Sequence, residues 1–318
     1  NSMSTYREVK GYSIKKVDSD PANPKEGQIW YNNISKQIKV APFIESWASG
    51  GNMNTSGLQR GGAGTQTAAL AFGGGNPGVF DNNESYDGSS WTELGDMNTA
   101  RMGFYGTGTQ TAALAAGGFI PGASPTQQVS NESWDGSSWT EVGNLNQVKQ
   151  VHAMCGTNTA ALVFGGFIPP STAQTESWNG TSWTEVADLG TARYLLGGAG
   201  TSTAALAFGG LGGTGLSEAW DGSSWTEGPD LNTARSHLYG AGTSTAALAF
   251  GGNPKLTATE EYNGTAWSTK ASLATGRHNL SGAGTTTAGI AFGGTIDNAT
   301  NITEEFTNSV TARSVDVS

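Results

Sequence analysis

The chain has 318 residues, 16 Lys and Arg against 26 Asp and Glu, and a formal net charge of -10. No basic run offers a track for phosphates, so nucleic-acid binding is not expected, and a single cysteine, Cys155, excludes an internal disulfide or a cysteine metal cluster. Gly is 48 of the residues and charged residues are only 13%, against about 25% in ordinary domains, yet ten Trp, eleven Phe and eight Tyr supply a core that a disordered chain lacks.

Residues 1–42 stand outside the pattern that follows. They hold Lys10, Lys15, Lys16, Lys25, Lys36 and Lys39. GQIWYN (27–32) and QIKVA (37–41) read as two short strands joined by a polar turn. A lone hairpin is marginal in water, so this arm is expected to lean on the next domain or on other chains, with homo-oligomer formation through it.

From residue 43 to 318 the chain repeats. Gly-Gly pairs begin at Gly73, Gly117, Gly165, Gly209, Gly251 and Gly293, at intervals of 44, 48, 44, 42 and 42. Asp-Gly or Asn-Gly steps at Asp87, Asp135, Asn179, Asp221 and Asn263 precede Trp91, Trp139, Trp183, Trp225 and Trp267. A sixth marker, Trp47, precedes the first Gly-Gly, so the two series are out of phase.

Each unit predicts four strands. The first follows the T-A-R segment, as in RSHLYGAG (235–242). The second is the TAALAF run, whose lack of charge fits a strand buried on both faces. The third is short, as in TESW (175–178). An Asn-Gly or Asp-Gly hairpin turn leads to the fourth, SWTE. No segment has helical periodicity with caps, so almost no helix is expected. No apolar run approaches the about 18 residues of a membrane helix, so no membrane insertion is expected.

Four antiparallel strands per unit, six times over, predict an all-β, six-bladed propeller. The last unit lacks a Trp strand and the first Trp strand lacks a unit. The Trp47 strand is therefore expected to close the ring as the outer strand of the last blade, removing an open edge.

The diglycine after an apolar strand, the aromatic before the turn and the later Trp resemble kelch repeats, across roughly residues 43–318. The wording of the units (GAGTQTAALAFGG, DGSSWTE, LNTAR) and the lead-in EGQIWYN…KQIKV resemble marine bacteriophage structural and tail-fibre proteins. That resemblance implies a virion protein. It also implies a non-enzymatic binding or structural role in a tail fibre or other receptor-contacting appendage. The implied partners are a host surface glycan or protein, or other virion proteins. A structural spacer without ligand, and a carbohydrate-active or oxidase enzyme, are the alternatives.

No cofactor or metal is expected. His152, His237 and His278 fall in first strands but at different offsets from their Gly-Gly pairs, so their side chains should diverge. Kelch-type oxidases hold copper between histidines and a cysteine-linked tyrosine, and no matching constellation surrounds Cys155. The SYDGSSW stretch (85–91) departs from the sialidase Asp-box, which separates its Asp and Gly.

Two sets of residues are singled out. A cation stands 16 residues before most Gly-Gly pairs, at Arg101, Lys149, Arg193, Arg235 and Arg277; the first unit has Gly57 there and Arg60 nearby. A Glu stands two before each third-strand aromatic: Glu84, Glu132, Glu176, Glu218, Glu260 and Glu304. Recurrence in every unit favours a structural ring of ion pairs; an anion-binding mouth at the channel is the functional alternative. The second set is the loops between second and third strands, which vary in length and carry apolar groups expected at the surface: Phe80, Phe119, Ile120, Phe167, Ile168, Leu211 and Leu256. A constant frame with variable loops on one rim is how repeat folds present a binding surface. The competing reading is that Phe119 and Phe167 cover the ends of neighbouring blades.

Overall fold

The computed structural model describes residues 14–76, 78–123, 126–211, 215–310 and 313–314. The chain forms two compact units, residues 46–307, and residues 1–45 with 308–318. No helix among the described residues is long and apolar enough to cross a membrane.

The larger unit is a β-propeller built of repeated four-stranded antiparallel sheets. Sheet 1 shows the pattern, with strands Gly61–Thr65, Ala68–Phe72, Asn83–Tyr86 and Trp91–Glu93 paired in chain order. The innermost strands of sheets 2 to 6 are Gly106–Thr109, Ala153–Gly156, Gly197–Gly200, Tyr239–Gly242 and Ser281–Gly284. Each innermost strand neighbours the next, and that of sheet 6 neighbours that of sheet 1. Sheet 6 takes its outer strand from the other end of the chain: the order is Ser281–Gly284, Ala288–Phe292, Thr303–Val310, then Phe43–Ser49, which contains Trp47.

The second strands are the core of each sheet. Leu70, Ala71 and Phe72, and their counterparts up to Ile290, Ala291 and Phe292, are fully buried. Packing then passes from sheet to sheet through the outer-strand Trp. Trp139 of sheet 2 lies on Phe72 of sheet 1 with ring centroids 4.8 Å apart. Trp225, Trp267 and Trp47 repeat this on Phe164, Phe208 and Phe250 at 4.9, 5.0 and 5.3 Å. Trp91 of sheet 1 lies on Phe292 of sheet 6 at 5.0 Å.

The Gly-Gly pairs end the second strands for a conformational reason. Gly73 and Gly74 have φ of 59° and 97°, and every later pair is left-handed at both residues, a conformation that glycine adopts without penalty. Crowding also requires glycine in a first strand: a Cβ on Gly106 would stand 2.2 Å from the Phe72 ring.

The first strands are shorter than the sequence predicts. The expected strand 235–242 is observed as Tyr239–Gly242, because His237 turns left-handed at φ 58° and breaks the extended run. His152, His237 and His278 consequently all lie outside strands, which corrects their expected placement.

In the smaller unit the expected hairpin is present as Ile29–Asn32 and Gln37–Val40. Two strands that the sequence pattern does not reveal flank it. Lys15–Val17 runs parallel to Ile29–Asn32, and Arg313–Ser314 pairs with Val40 and Lys39. Trp30 Nε1 and Asn32 Nδ2 both donate to Asp20 Oδ1, at 2.9 and 2.8 Å, which fixes the loop before the hairpin. Lys10 lies outside the described residues.

Candidate functional site

The axis of the propeller has two different ends. At one, a cavity of about 140 Å³ is lined by innermost strands of all six sheets, almost entirely by Gly and Ala, with Thr107, Met154, Cys155 and Tyr239. Cys155 is buried, and burial pushes its thiol up to about 12, so it is held as the unreactive protonated form. Thr107 Oγ1 donates to the Gly156 carbonyl at 2.7 Å, tying sheet 2 to sheet 3.

Toward the other end two tyrosines fill the channel. Tyr105 of sheet 2 and Tyr239 of sheet 5 stack with ring centroids 4.8 Å apart and planes within 1°. Their counterparts in the other sheets are Gly61, Ala153, Gly197 and Ser281, so only two sheets reach across. The Tyr105 hydroxyl lies 2.9 Å from the Leu196 carbonyl and 2.8 Å from that of Leu238. Burial raises the pKa of both phenols, so they remain neutral donors.

A circuit of backbone hydrogen bonds surrounds the axis beyond this plug. Gly103 N–H donates to Gln59 O (3.1 Å), Val151 to Gly103 (2.6 Å), Leu195 to Val151 (2.7 Å), His237 to Leu195 (2.8 Å), Asn279 to His237 (3.0 Å), and Gln59 to Asn279 (2.9 Å), back to the start. All six residues are left-handed, with φ between 49° and 68°. Only Gly103 is the residue type for which this costs nothing; a β-branched residue such as Val151 is strained there.

The cations and carboxylates singled out in the sequence are brought together in pairs. Arg60–Glu84, Lys149–Glu176, Arg193–Glu218 and Arg277–Glu304 approach to 3.7, 3.4, 3.1 and 3.0 Å, and Arg101–Glu132 and Arg235–Glu260 are in direct contact. All twelve side chains are buried. Burial lowers the arginine pKa values, to about 10 at Arg60 and Arg277, with the paired Glu opposing the shift; the guanidinium groups stay charged.

Each pair also anchors the backbone. Arg101, Arg235 and Arg277 Nη2 donate to the second-strand carbonyls of Ala115, Ala249 and Ala291 at 3.2, 3.1 and 3.1 Å. Each Glu accepts an N–H from the connection leading into its own sheet: Asn54 to Glu84 at 2.8 Å, Asn98 to Glu132 at 2.7 Å, and Asn232 to Glu260 at 2.7 Å. The charges hold strand, connection and neighbouring turn together.

The seven apolar loop residues are all half-buried. The exposed large hydrophobics among the described residues are instead Ile14, Ile29 and Ile34. The expectation of an exposed apolar rim is thereby corrected. Phe80 lies 5.8 Å from the Arg60 guanidinium. Phe119 bridges Met102 and Gln127 through its backbone, and its ring occupies the space that a side chain on Gly103 would need. Phe167 packs on Tyr194 of the next sheet at 5.0 Å. Leu211 exchanges backbone bonds with Tyr194, and the Ile120 and Leu256 N–H groups donate within their own loops. Ile168 precedes the exposed Pro169 and Pro170. The loops rest on the frame because in five sheets the residue after the Gly-Gly pair extends the sheet by one bridge toward the connecting segment, and in sheet 5 Asn253 N–H donates to the Ser236 carbonyl at 2.8 Å.

Of the histidines, His152 takes the core place held by Leu196, Leu238 and Leu280 in other sheets, and burial, with the Lys149 charge, lowers its pKa to about 3. His237 and His278 come near each other edge to face, with ring centroids 5.8 Å apart, and Ser236 Oγ lies 2.8 Å from His237 Nδ1. Burial, then the other imidazole, lowers His237 to about 4. No group of three or more His, Cys, Asp or Glu suited to a metal ion occurs among the described residues.

No protein-family model matches the chain, and no curated protein matches it. Among solved structures the chain is similar to that of YjhT, with a TM-score of 0.70 and 12% identity over 84% of this chain and 100% of that one. At this identity the likeness shows the fold, a β-propeller, and fold alone does not carry function.

Proposed function

We propose that the chain is a six-bladed, kelch-like propeller whose ring is completed by the Trp47 strand, and that it serves as a non-enzymatic module of a phage virion. Its place is a tail fibre or other receptor-contacting appendage, and its partner is a host surface glycan or protein. The observation that carries the reading is the division of labour within the repeat. The charged residues that recur in every unit form buried pairs that hold the frame, while length and composition vary in the loops above it. The resemblance of the units to phage structural proteins supplies the setting.

A glycan array and a host-cell pull-down, run with the native chain and a Phe119→Ala, Phe167→Ala double variant, test the reading. The expected result is binding by the native chain and its loss in a variant that still melts cooperatively. Binding that survives the double variant removes this face from the proposal. A particle image that locates the chain away from the virion removes the setting.

A second reading, a spacer that binds nothing, is favoured by one observation: the loop aromatics pack on the frame, as Phe167 does on Tyr194. Absence of binding, with the terminal unit required for assembly, would select it.

A further inference from the structure

In four sheets the connecting segment carries an asparagine at one fixed place: Asn54, Asn98, Asn146 and Asn232. Its Nδ2 donates to the carbonyl of the outer-strand Trp, at 3.1 Å to Trp91 and 3.0 Å to Trp139, Trp183 and Trp267. In sheet 3 the same nitrogen also donates to Glu176 Oε2 at 3.0 Å. In that sheet the nitrogen lies between a buried carboxylate and an outer-strand carbonyl.

Sheet 6 has Ala274 at this place and sheet 4 has Gly190; a cavity opens at the glycine, in sheet 4. The backbone bond is kept, from Gly190 N–H to Glu218 Oε2 at 2.6 Å, but no side-chain donor follows. A cavity of about 200 Å³ stands there, lined by Gly190, Thr191, Leu216, Glu218, Trp225 and Glu227.

Its walls are short of hydrogen-bond donors. The Glu218 side chain is only 6% exposed, and its Oε1, 3.1 Å from Arg193 Nη2, takes no hydrogen bond. Arg193 directs Nη1 to the Leu216 carbonyl at 3.0 Å instead. Glu227 is the cross-strand partner of Glu218, so both carboxylates share one face. Arg193 offsets one of them, which leaves one negative charge. Trp225 is half-buried here, whereas Trp91, Trp139, Trp183 and Trp267 are buried.

We propose that this pocket on sheet 4 binds an alkylammonium group, free or on a lysine side chain, in the place that Asn fills in four other sheets. The ammonium nitrogen supplies donors to Glu218 Oε2, the oxygen whose counterpart on Glu176 takes the Asn146 side chain, and to the Trp225 carbonyl. Its charge is balanced by Glu227. Its alkyl stem lies against Trp225, where cation and indole attract. The proposal does not depend on the virion reading.

The test titrates butylammonium into the full chain while the indole N–H resonances are followed by NMR, with butanol as the neutral control. An Nα-acetyl-lysine methylamide arm distinguishes a polypeptide side chain from a free amine. Gly190→Asn installs the side chain that four sheets already carry, at a position that is not left-handed, so the variant should melt at or above the native temperature. Glu227→Gln changes an exposed residue and removes the balancing charge. The expected result is a saturable shift of one indole with butylammonium and none with butanol, weakened at least about tenfold by either substitution. A lysine analogue that binds equally assigns the pocket to protein partners as well, and one that does not assigns it to free amines. No saturable shift in the native chain, or undiminished affinity in both variants, overturns the proposal.

Discussion

Gly57 makes room for Arg60: a Cβ on Gly57 would stand 2.5 Å from Arg60 Nε, because Arg60 fills the space that Arg101 and its counterparts fill from the place of Gly57. Arg60 itself occupies the core place of Phe104, Leu196, Leu238 and Leu280. Sheet 1 has moved its cation three residues along the chain and kept the pair with Glu84.

Gly57→Ala should therefore destabilise the chain by about 1–3 kcal/mol, the usual cost of overpacking. The double variant Gly57→Arg, Arg60→Leu recreates the order of sheets 4 to 6 and should recover most of the loss. Urea unfolding of the two variants checks this. A Gly57→Ala midpoint equal to the native one would refute the exchange.

Arg101→Ala should cost about 3–5 kcal/mol, since it leaves the buried Glu132 carboxylate without its counter-charge. Glu132→Gln should cost less, because its amide oxygen can still accept the Asn98 N–H that the carboxylate accepts at 2.7 Å. Thermal unfolding of both would rank them, and the reverse order would show that the pair is not what holds the connection.

Acid should destabilise the propeller through His152. Its pKa is about 3 when folded against 6.5 when exposed, so between these values the unfolded chain binds a proton that the folded chain does not. Stability is then complete above pH 6.5 and falls as pH drops toward 3. His237, at about 4, acts in the same direction. His152→Leu, the residue other sheets use at this place, should flatten the acid limb of a plot of unfolding midpoint against pH. An unchanged limb would clear His152.

Trp91 joins sheet 1 to sheet 6. Its Nε1 donates to Thr303 Oγ1 at 3.0 Å and its ring meets Phe292. Trp91→Ala should cost about 3–5 kcal/mol, and Trp225→Ala less, since that indole is half-buried. Paired chemical denaturation curves measure the difference. Equal losses would mean that burial does not set the value of these contacts.

Much of the fold was legible in the sequence because it is local and repeated. Gly-Gly pairs, Asp-Gly turns and marker Trp residues each act within a few positions of themselves, and six copies set the pattern apart from chance. Arg101 and Glu132 could be placed as one set for the same reason. The apolar loop residues were misjudged because composition does not tell a surface side chain from one lying on the frame. The short strand Lys15–Val17 was missed because three residues carry too little pattern.

By itself the sequence determined the repeat, most of its strands, and the regular places of the ion-pair residues. Only the tertiary structure decided that Tyr105 stacks on Tyr239, that six left-handed residues close a hydrogen-bond circuit, and that Gly190 leaves a pocket beside Glu218. These relations join positions far apart in the chain, or depend on the absence of a side chain. Neither leaves a local signal: Tyr105 meets Tyr239 only because their sheets face each other across the axis, and the glycine at 190 looks like any other until its neighbours surround the space it leaves.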